Sequence, residues 1–368
     1  MNKRNSALFT LIVLLLLGCT GNNGNKNTAL LPKASGRAGE IIVVMDSTQW
    51  KGLLGERIRQ SFRKEVPGLP REEHLFKINQ VDPAKFNSVL KTAKNLLFVV
   101  TVDKYTPGAK IVKTYFTQNS LDRIKEDDKL FVHTSQDEFA RDQQVMYLFG
   151  KDEKTLISNI ADNEQSILGY FNKAENERLK KGLYKAKESK GLNDLLIKDH
   201  QASMRIPFGY KLVVNEPGFV WFRQINDESD KNLFVTYQDY TSEKSFSNEN
   251  IIMLRDSVAK NQLFEDPDDP STHIVTETSV PFIPVTSKQV NFNGKFAMET
   301  RGLWKTNNLS MGGPFLGYTL VDENIGRLYY IEGFVYSPGK DQREFMREME
   351  VIISTFQTKS EKEGPVGQ

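Results

Sequence analysis

Several residue types on which common enzyme chemistries depend are scarce in this chain of 368 residues. A single cysteine excludes an intrachain disulfide and any zinc cluster built from cysteines. The sequence also lacks the His-Glu-x-x-His spacing of zinc hydrolases, the Gly-x-Ser-x-Gly elbow and a glycine-rich phosphate loop. The four histidines are far apart in sequence: His74, His133, His200 and His273. We therefore expect no metal, no cofactor and no catalytic residue that spacing alone identifies.

Neither sign of charge dominates, because 49 Lys and Arg face 47 Asp and Glu. A near-neutral chain gives no whole-molecule argument for binding nucleic acid, and we expect no nucleic-acid partner. Hydrophobic residues make up 39% of the chain, which is ordinary for a globular protein. The length is greater than one hydrophobic core usually supports, and it indicates two domains.

The longest uncharged apolar run, residues 7–17, is too short to span a bilayer, which takes about 20 residues. It follows the basic pair Lys3 and Arg4 and has the length of a secretory signal. The run ends in Leu-Leu-Gly-Cys, with Cys19 as the cysteine. This ending resembles a lipoprotein signal, in which the thiol is acylated and the chain is cut just before the cysteine. We predict a signal peptide over residues 1–18 and lipidation at Cys19.

Cleavage would remove Lys3 and Arg4 and leave equal numbers of basic and acidic side chains. Residues 19–36 begin with a polar run rich in Gly and Asn, which predicts a flexible tether. No aspartate follows Cys19 and no acidic cluster lies near it. Lipoprotein sorting rules then favour the periplasmic face of the outer membrane. The expected membrane contact is through N-terminal acyl chains.

The patterning of the remaining chain predicts an α+β protein overall. An N-terminal α/β domain is expected over residues 37–175, a charged helical linker over 176–203, and a mostly antiparallel α+β domain over 204–358. Residues 359–368 are expected to form a disordered tail. In the first domain the apolar patterns predict five strands, at 40–46, 95–102, 111–116, 129–133 and 143–148. In the second domain they predict helices at 248–263 and 343–356, and strands at 209–215, 219–225, 232–240, 295–304, 315–322 and 327–337.

Several short stretches occur together in one order. They are Gly39–Asp46, Phe219–Arg223, Arg301–Trp304, Met311–Phe315 and Glu332–Pro338. With the lipoprotein signal, they resemble domain of unknown function 4837, a family of Bacteroidota lipoproteins, over nearly all of the chain after Cys19. Residues 270–273 depart from the expected Gly-Ser-Tyr-Met-like stretch. The resemblance implies a cell-envelope location and no particular activity.

Aromatic and charged side chains alternate on the C-terminal strands. On strand 327–337 the alternation places Glu332 and Tyr336 on one face. On strand 295–304, Arg301 shares a face with Glu299, and Trp304 takes the opposite one. We expect Arg301 to pair with Glu332 on neighbouring strands, with Glu299 as the competing partner. Such a face could line a ligand groove, or it could hold an ion pair beneath the C-terminal helix. The candidate ligand-binding residues are Trp221, Arg223, Arg301, Trp304, Glu332 and Tyr336.

We expect a lipid-anchored cell-envelope protein with a binding or scaffolding role and no catalysis. Its further partner would be another envelope protein or a small-molecule ligand. The alternative is an envelope hydrolase with a site made of histidine and carboxylate. Residues of such a site meet only in the fold, so their spacing in the sequence does not decide against this alternative. His133, at the end of a predicted strand, is the histidine best placed for it.

Overall fold

The computed structural model describes residues 30–185, 188–266 and 269–362. The predicted signal peptide, Cys19 and the first part of the predicted tether lie outside these residues. Strands β1 to β5 are Glu40–Met45, Lys77–Val81, Asn95–Thr101, Val132–Gln136 and Gln144–Gly150. Helices α1 to α6 are Ser47–Lys51, Leu53–Phe62, Pro107–Lys113, Gln118–Glu126, Glu153–Asp162 and Glu164–Leu183.

The second half contains most of the strands. Helices α7 to α10 are Lys190–His200, Asn248–Gln262, Arg343–Ile353 and Lys359–Lys362. Strands β6 to β9 are Ala202–Ser203, Lys211–Glu216, Phe219–Ile225 and Asp230–Asp239. Strands β10 to β13 are Phe264–Asp266, Asp269–Glu277, Thr286–Phe292 and Lys295–Thr306. Strands β14 to β16 are Gly312–Asp322, Arg327–Tyr336 and Gln357–Thr358.

The first sheet has the order β2-β1-β3-β5-β4, and only β4 runs antiparallel to its neighbour. Its central strands are buried on both faces, which explains their unbroken apolar sequences. Helices α2, α5 and α6 pack on one face, and α3 and α4 pack on the other. The prediction of an α/β arrangement in the N-terminal half is confirmed.

The second sheet is larger and antiparallel. Of its nine strands in the described residues, eight follow the order β10-β11-β13-β14-β15-β9-β8-β7, and the ninth, β12, pairs with the first part of β13. Helix α9 covers one face with Met346, Met349 and Ile352, while α8 covers the other with Ile251 and Ala259. The α+β prediction is therefore confirmed, and the two faces of this sheet are called here the α9 face and the α8 face.

Some predicted elements were wrong in type or position. Residues 111–116 are not a strand, because helix α3 covers Pro107–Lys113. Thr106 caps that helix, with its hydroxyl accepting from the Ala109 amide at 3.3 Å, and Pro107 suits the first turn. The strand predicted at 129–133 lies three residues later. Residues 270–273 belong to strand β11, and neither β11 nor β12 was predicted.

The predicted segment boundaries also needed correction. Residues 32–35 do not belong to a free tether, because their backbone hydrogen-bonds to Arg141, Thr92 and Lys94. The boundary at 175 falls inside helix α6, and the predicted linker 176–203 is packed rather than solvated: Leu196 and His200 are buried. Residues 359–362, expected in the tail, form α10, and residues 363–368 lie outside the described residues.

The two halves of the chain touch at the start of helix α9. The Glu73 carboxylate accepts from the backbone amides of Gln342 and Arg343 at 2.6 and 2.8 Å. Gly68 adopts a φ of 76°, and a Cβ there would come within 3.0 Å of the Gly302 amide nitrogen in β13. The first half therefore supplies both a cap for α9 and a close backbone contact with the second sheet.

Candidate functional site

The predicted pair of Arg301 and Glu332 does not form, because strand register puts the two side chains on opposite faces. Strand β14 lies between the two strands that carry them. Arg301 is opposite Leu316, whereas Glu332 is opposite Gly317, the next residue of β14. A shift of one residue reverses the face of a side chain. Glu332 points to the α8 face and Arg301 to the α9 face, where each has found another partner.

Glu332 is fully buried and pairs with Arg255 of helix α8. Both carboxylate oxygens accept from the guanidinium, at 2.8 and 2.9 Å, and Tyr330 donates to Glu332 at 2.5 Å. Arg255 also donates to Thr276 and lies 4.1 Å above the Phe315 ring. Burial raises the pKa of Glu332, whereas Glu332 raises the pKa of Arg255 against the effect of burial. In this bidentate contact each charged group is bound by the other within the protein, so neither is left for a ligand.

Arg301 lies beneath the C-terminal helix, between two carboxylates. It donates to Glu299 at 2.8 Å and to Glu350 of α9 at 3.0 Å. Burial opposes ionisation of Glu299, but the charges of Arg301 and Lys288 bring its pKa down to about 2. Tyr318 donates to the other Glu299 oxygen at 2.9 Å. Of the two arrangements expected from sequence, the contacts match the ion pair covered by the C-terminal helix, with Glu299 as the partner.

The other predicted ligand-binding residues are engaged in the fold as well. The Trp221 indole donates to Asn232 at 2.9 Å, and Trp304 donates to the backbone oxygen of Val335 at 3.3 Å. Arg223 makes a bidentate contact with Asp230. Tyr336 packs at the border of the aromatic cluster on the α8 face. The six residues are thus placed on both faces of the sheet, and the structure does not bring them together as one site.

A different candidate site lies in the first half, between α4 and strands β4 and β5. It is a partly open cavity of about 360 Å³, within the size range of small-ligand sites. Its aromatic wall consists of Tyr115, Phe116, Tyr147 and Phe149. Its aliphatic lining is Ile124, Leu130 and Val132. Its polar groups are Thr117, Ser120, Arg123, His133 and Glu138.

The wall of this cavity is held in place by stacking and by one strong hydrogen bond. The Tyr147 ring stacks on Phe98 with centroids 4.8 Å apart, and its hydroxyl donates to Glu138 at 2.6 Å. Burial and the contact with Glu138 raise the pKa of Tyr147 well above its usual range, so its hydroxyl stays protonated. The Tyr115 ring remains partly exposed, 5.0 Å from Phe98 between centroids. The cavity therefore offers fixed aromatic surface to a ligand.

The charged side chains that line the cavity differ in whether the protein supplies them with a partner. Glu138 is engaged by Tyr147, whereas Arg123 forms no ion pair with any residue that the structure describes. His133 is exposed on β4, and its ring lies 6.1 Å from that of Tyr147. An arginine without an internal carboxylate beside aromatic rings is suited to a planar anion.

Of the residues that line this cavity, only His133 was a candidate from the sequence. The lining residues come from the end of α3, from α4 and from two strands, and each stretch by itself reads as an ordinary amphipathic pattern. Only Tyr115 and Phe116, a pair of aromatics just after a helix, offered a local signal. Within the described ranges, no group of three or more His, Cys, Asp or Glu could hold a metal ion. In the same ranges, no helix is both long and apolar enough to cross a membrane.

Comparison with solved structures gives only weak likenesses. The Ran-binding protein Mog1p of Saccharomyces cerevisiae is 8% identical, with a TM-score of 0.28, covering 44% of this chain and 92% of that one. The human StarD13 (DLC2) lipid transfer and protein localization domain is 9% identical, with a TM-score of 0.20 and coverages of 44% and 95%. Scores this low carry no argument about fold or function. No curated protein matches the sequence.

Two family profiles match the chain, one in each half. Residues 34–184 match a domain of unknown function, DUF8532. The second match covers residues 189–355 and does not extend over nearly all of the chain after Cys19, as the sequence motifs suggested. With that correction of extent, residues 189–355 match the family described as domain of unknown function DUF4837.

Proposed function

We propose that this chain is a lipid-anchored cell-envelope protein whose N-terminal half binds a small aromatic anion in the cavity beside Tyr147. The observation that carries the ligand class is the position of Arg123 in the wall of a cavity that also contains four Phe and Tyr rings. Arg123 has no ion-pair partner in the described part of the chain. Anchoring through acyl chains at Cys19 and a location at the periplasmic face of the outer membrane rest on the N-terminal sequence alone.

Binding without catalysis agrees with how the polar groups of the cavity are connected. Activation of a serine or threonine nucleophile requires a base within hydrogen-bond reach of its hydroxyl. The Ser120 hydroxyl instead bonds to that of Thr117 at 2.9 Å, and Glu138 bonds to Tyr147. These pairings hold the cavity wall in shape and leave ring faces and Arg123 for the ligand. The C-terminal sheet, with its saturated ion pairs, would serve as the scaffold.

The alternative of an envelope hydrolase has one observation in its favour. His133 and Glu138, a histidine and a carboxylate, line the same cavity. A hydrolase of this kind predicts that His133→Ala abolishes turnover of carboxylic and phosphate ester substrates. Under the binding proposal, purified protein releases no product from such esters, and His133→Ala changes only ligand affinity.

Fluorescence of 8-anilinonaphthalene-1-sulfonate, an aromatic anion, tests the ligand class. We expect saturable binding that Arg123→Ala weakens by about tenfold, the loss of one charge-assisted contact. Arg63→Ala is the matched control, because Arg63 is exposed at the end of α2. The outcome that defeats the proposal is equal binding to the parent protein and to both variants.

Anchoring is tested separately, by metabolic labelling with a fatty-acid analogue. The parent chain should take up label, and Cys19→Ala should lose it and leave the membrane fraction or remain an unprocessed precursor. Unchanged labelling of the variant would refute lipidation at Cys19.

A further inference from the structure

Residues 32–35 enter the fold at one edge of the first sheet. Ala34 donates to the backbone oxygen of Arg141 at 2.8 Å, and Ser35 donates to that of Thr92 at 2.8 Å. The amide of Lys94 donates in turn to Ser35 at 3.0 Å. These contacts lie at the edge where the parallel strands β1, β3 and β5 begin. The described chain therefore enters the fold at that edge.

Five basic residues are grouped around this entry point, and they are called here the entry patch: Lys33, Arg37, Lys91, Lys94 and Arg141. Lys33 forms a backbone bridge with Arg141, and Gln143 donates to the backbone oxygen of Lys91. Lys33, Arg37 and Arg141 are exposed. Within the described residues, no member of the patch forms an ion pair.

The acidic residues at the same edge are occupied by other groups. Glu40 accepts from Asn79 at 2.6 Å, and Asp137 accepts from the Gln143 amide at 3.2 Å. Asp142 faces Lys181 at 3.9 Å. Hydrogen bonds from neutral amides leave Glu40 and Asp137 charged, but the five basic residues of the entry patch outnumber these three carboxylates. The edge therefore carries an excess of positive charge, although the whole chain is close to neutral.

We propose that the entry patch docks on the anionic phospholipid headgroups of the membrane that holds the acyl anchor. This inference rests on the proposed anchoring at Cys19. The chain between Cys19 and residue 30 spans at most about 40 Å when extended, so it keeps the entry edge near the bilayer. Basic residues close to such a surface are attracted to it, and the attraction falls off within a Debye length of about 10 Å.

Docking would fix the orientation of the protein on the membrane. An acyl anchor alone attaches the protein to the membrane at one point and does not fix its orientation. A basic patch at the tether's own entry point adds a second, electrostatic attachment to the same surface. The cavity beside Tyr147 would then be held at a defined position relative to the bilayer.

Vesicle flotation of the chain from Thr20 onward tests docking without acylation, since this chain keeps every residue that the structure describes. Vesicles of phosphatidylcholine alone are compared with mixed vesicles of phosphatidylcholine and phosphatidylglycerol. We expect binding to the mixed vesicles only, and weaker binding at high salt. The triple variant Lys33→Glu, Arg37→Glu and Arg141→Glu should bind about 100-fold more weakly, at about fivefold for each residue.

The matched control reverses three exposed lysines of the second half that form no ion pair: Lys211→Glu, Lys260→Glu and Lys340→Glu. It should retain most of the binding. Equal weakening by both triples, or equal binding to both kinds of vesicle, overturns the proposal. Displacement from mixed vesicles by inorganic phosphate at constant ionic strength would point to a soluble phosphate ligand and also overturn it. Because the assay needs no acyl chain, a failure of lipidation at Cys19 would leave its result unchanged.

Discussion

The two faces of the large antiparallel sheet each bury an arginine–carboxylate pair, but they enclose it to different degrees. On the α8 face, Arg255 and Glu332 are both completely buried. On the α9 face, Arg301 and Glu299 keep about a tenth of their side-chain surface exposed and share a network with Lys288 and Glu350. The pKa of Glu332 is raised and that of Glu299 is lowered.

This contrast shows how enclosure and the number of partners decide the behaviour of the same chemical pair. Arg255 lowers the pKa of Glu332, but the complete loss of contact with water raises it by more. Two cations and access to solvent lower the pKa of Glu299. Removing one member of the α8 pair should therefore destabilise the fold. In the α9 network, Glu299 should instead change its protonation state at acidic pH.

The largest effect is expected from breaking the enclosed pair. Arg255→Met leaves Glu332 buried without its cation, which should lower the free energy of unfolding by about 3–5 kcal/mol. Urea denaturation of the parent and variant measures the loss. The double variant Arg255→Met with Glu332→Leu should recover most of it, because no charge is then left unpaired. A double variant as unstable as the single one would contradict this account.

The α9 network should make stability depend on pH. Because the folded-state pKa of Glu299 is lowered to about 2, its contribution is present above the ordinary glutamate pKa near 4.5 and is lost as the pH falls towards 2. The loss should amount to about 3 kcal/mol. Thermal or urea unfolding across this window measures it, with Glu299→Gln as the comparison. The Glu299→Gln variant should lose correspondingly less stability on acidification. If it loses as much as the parent protein, Glu299 is not the group responsible.

Removing the arginine on the α9 face should cost less than removing that on the α8 face. After Arg301→Ala, Glu299 keeps Lys288 at 3.0 Å and the Tyr318 hydroxyl. We expect a loss of about 2 kcal/mol in the free energy of unfolding. The same denaturation experiment compares the two faces directly. If Arg301→Ala loses as much stability as Arg255→Met, partial exposure does not reduce the cost of leaving a carboxylate without its arginine.

The smallest effect concerns the contact between helix α9 and the first half of the chain. Glu73→Ala removes the carboxylate that accepts from the first amides of α9 and should cost about 1 kcal/mol. Glu72→Ala is the matched control, because that side chain is mostly exposed. If both variants unfold at the same denaturant concentration as the parent, the cap does not stabilise α9.

Periodicity predicted the buried strands and the amphipathic helices of this fold, including β1, β3 and α9. It failed where polar sequence forms a strand: residues 269–277 are mostly polar and contain Pro270, which disfavours a strand prediction. It also failed at Ile111 and Val112, β-branched residues that lie inside a helix. At Ile111 and Val112 the local capping signal of Thr106 and Pro107 outweighs the β preference of the two residues. In β11 the pairing with β13 outweighs the polar sequence.

The ion pairs could be predicted in kind but not in partner. An arginine and a glutamate among aromatic residues had to be paired, and both are. Their partners depend on strand register and on helix α8, which brings Arg255 to Glu332 from a distant part of the sequence. The cavity was missed for the same reason, since no local pattern indicates which strands and helices will meet.

The position of helix α9 late in the sequence determines when the large sheet can finish folding. The α9 face of the large sheet stays open until a helix near the end of the described chain is made and reaches its cap on Glu73, an early residue. Strands β9 and β15, which lie side by side, are separated by roughly 90 residues, and pairing over such distances is slow. During synthesis the first sheet can complete its own hydrogen bonds, while the second presents apolar surface on its α9 face until helix α9 packs there.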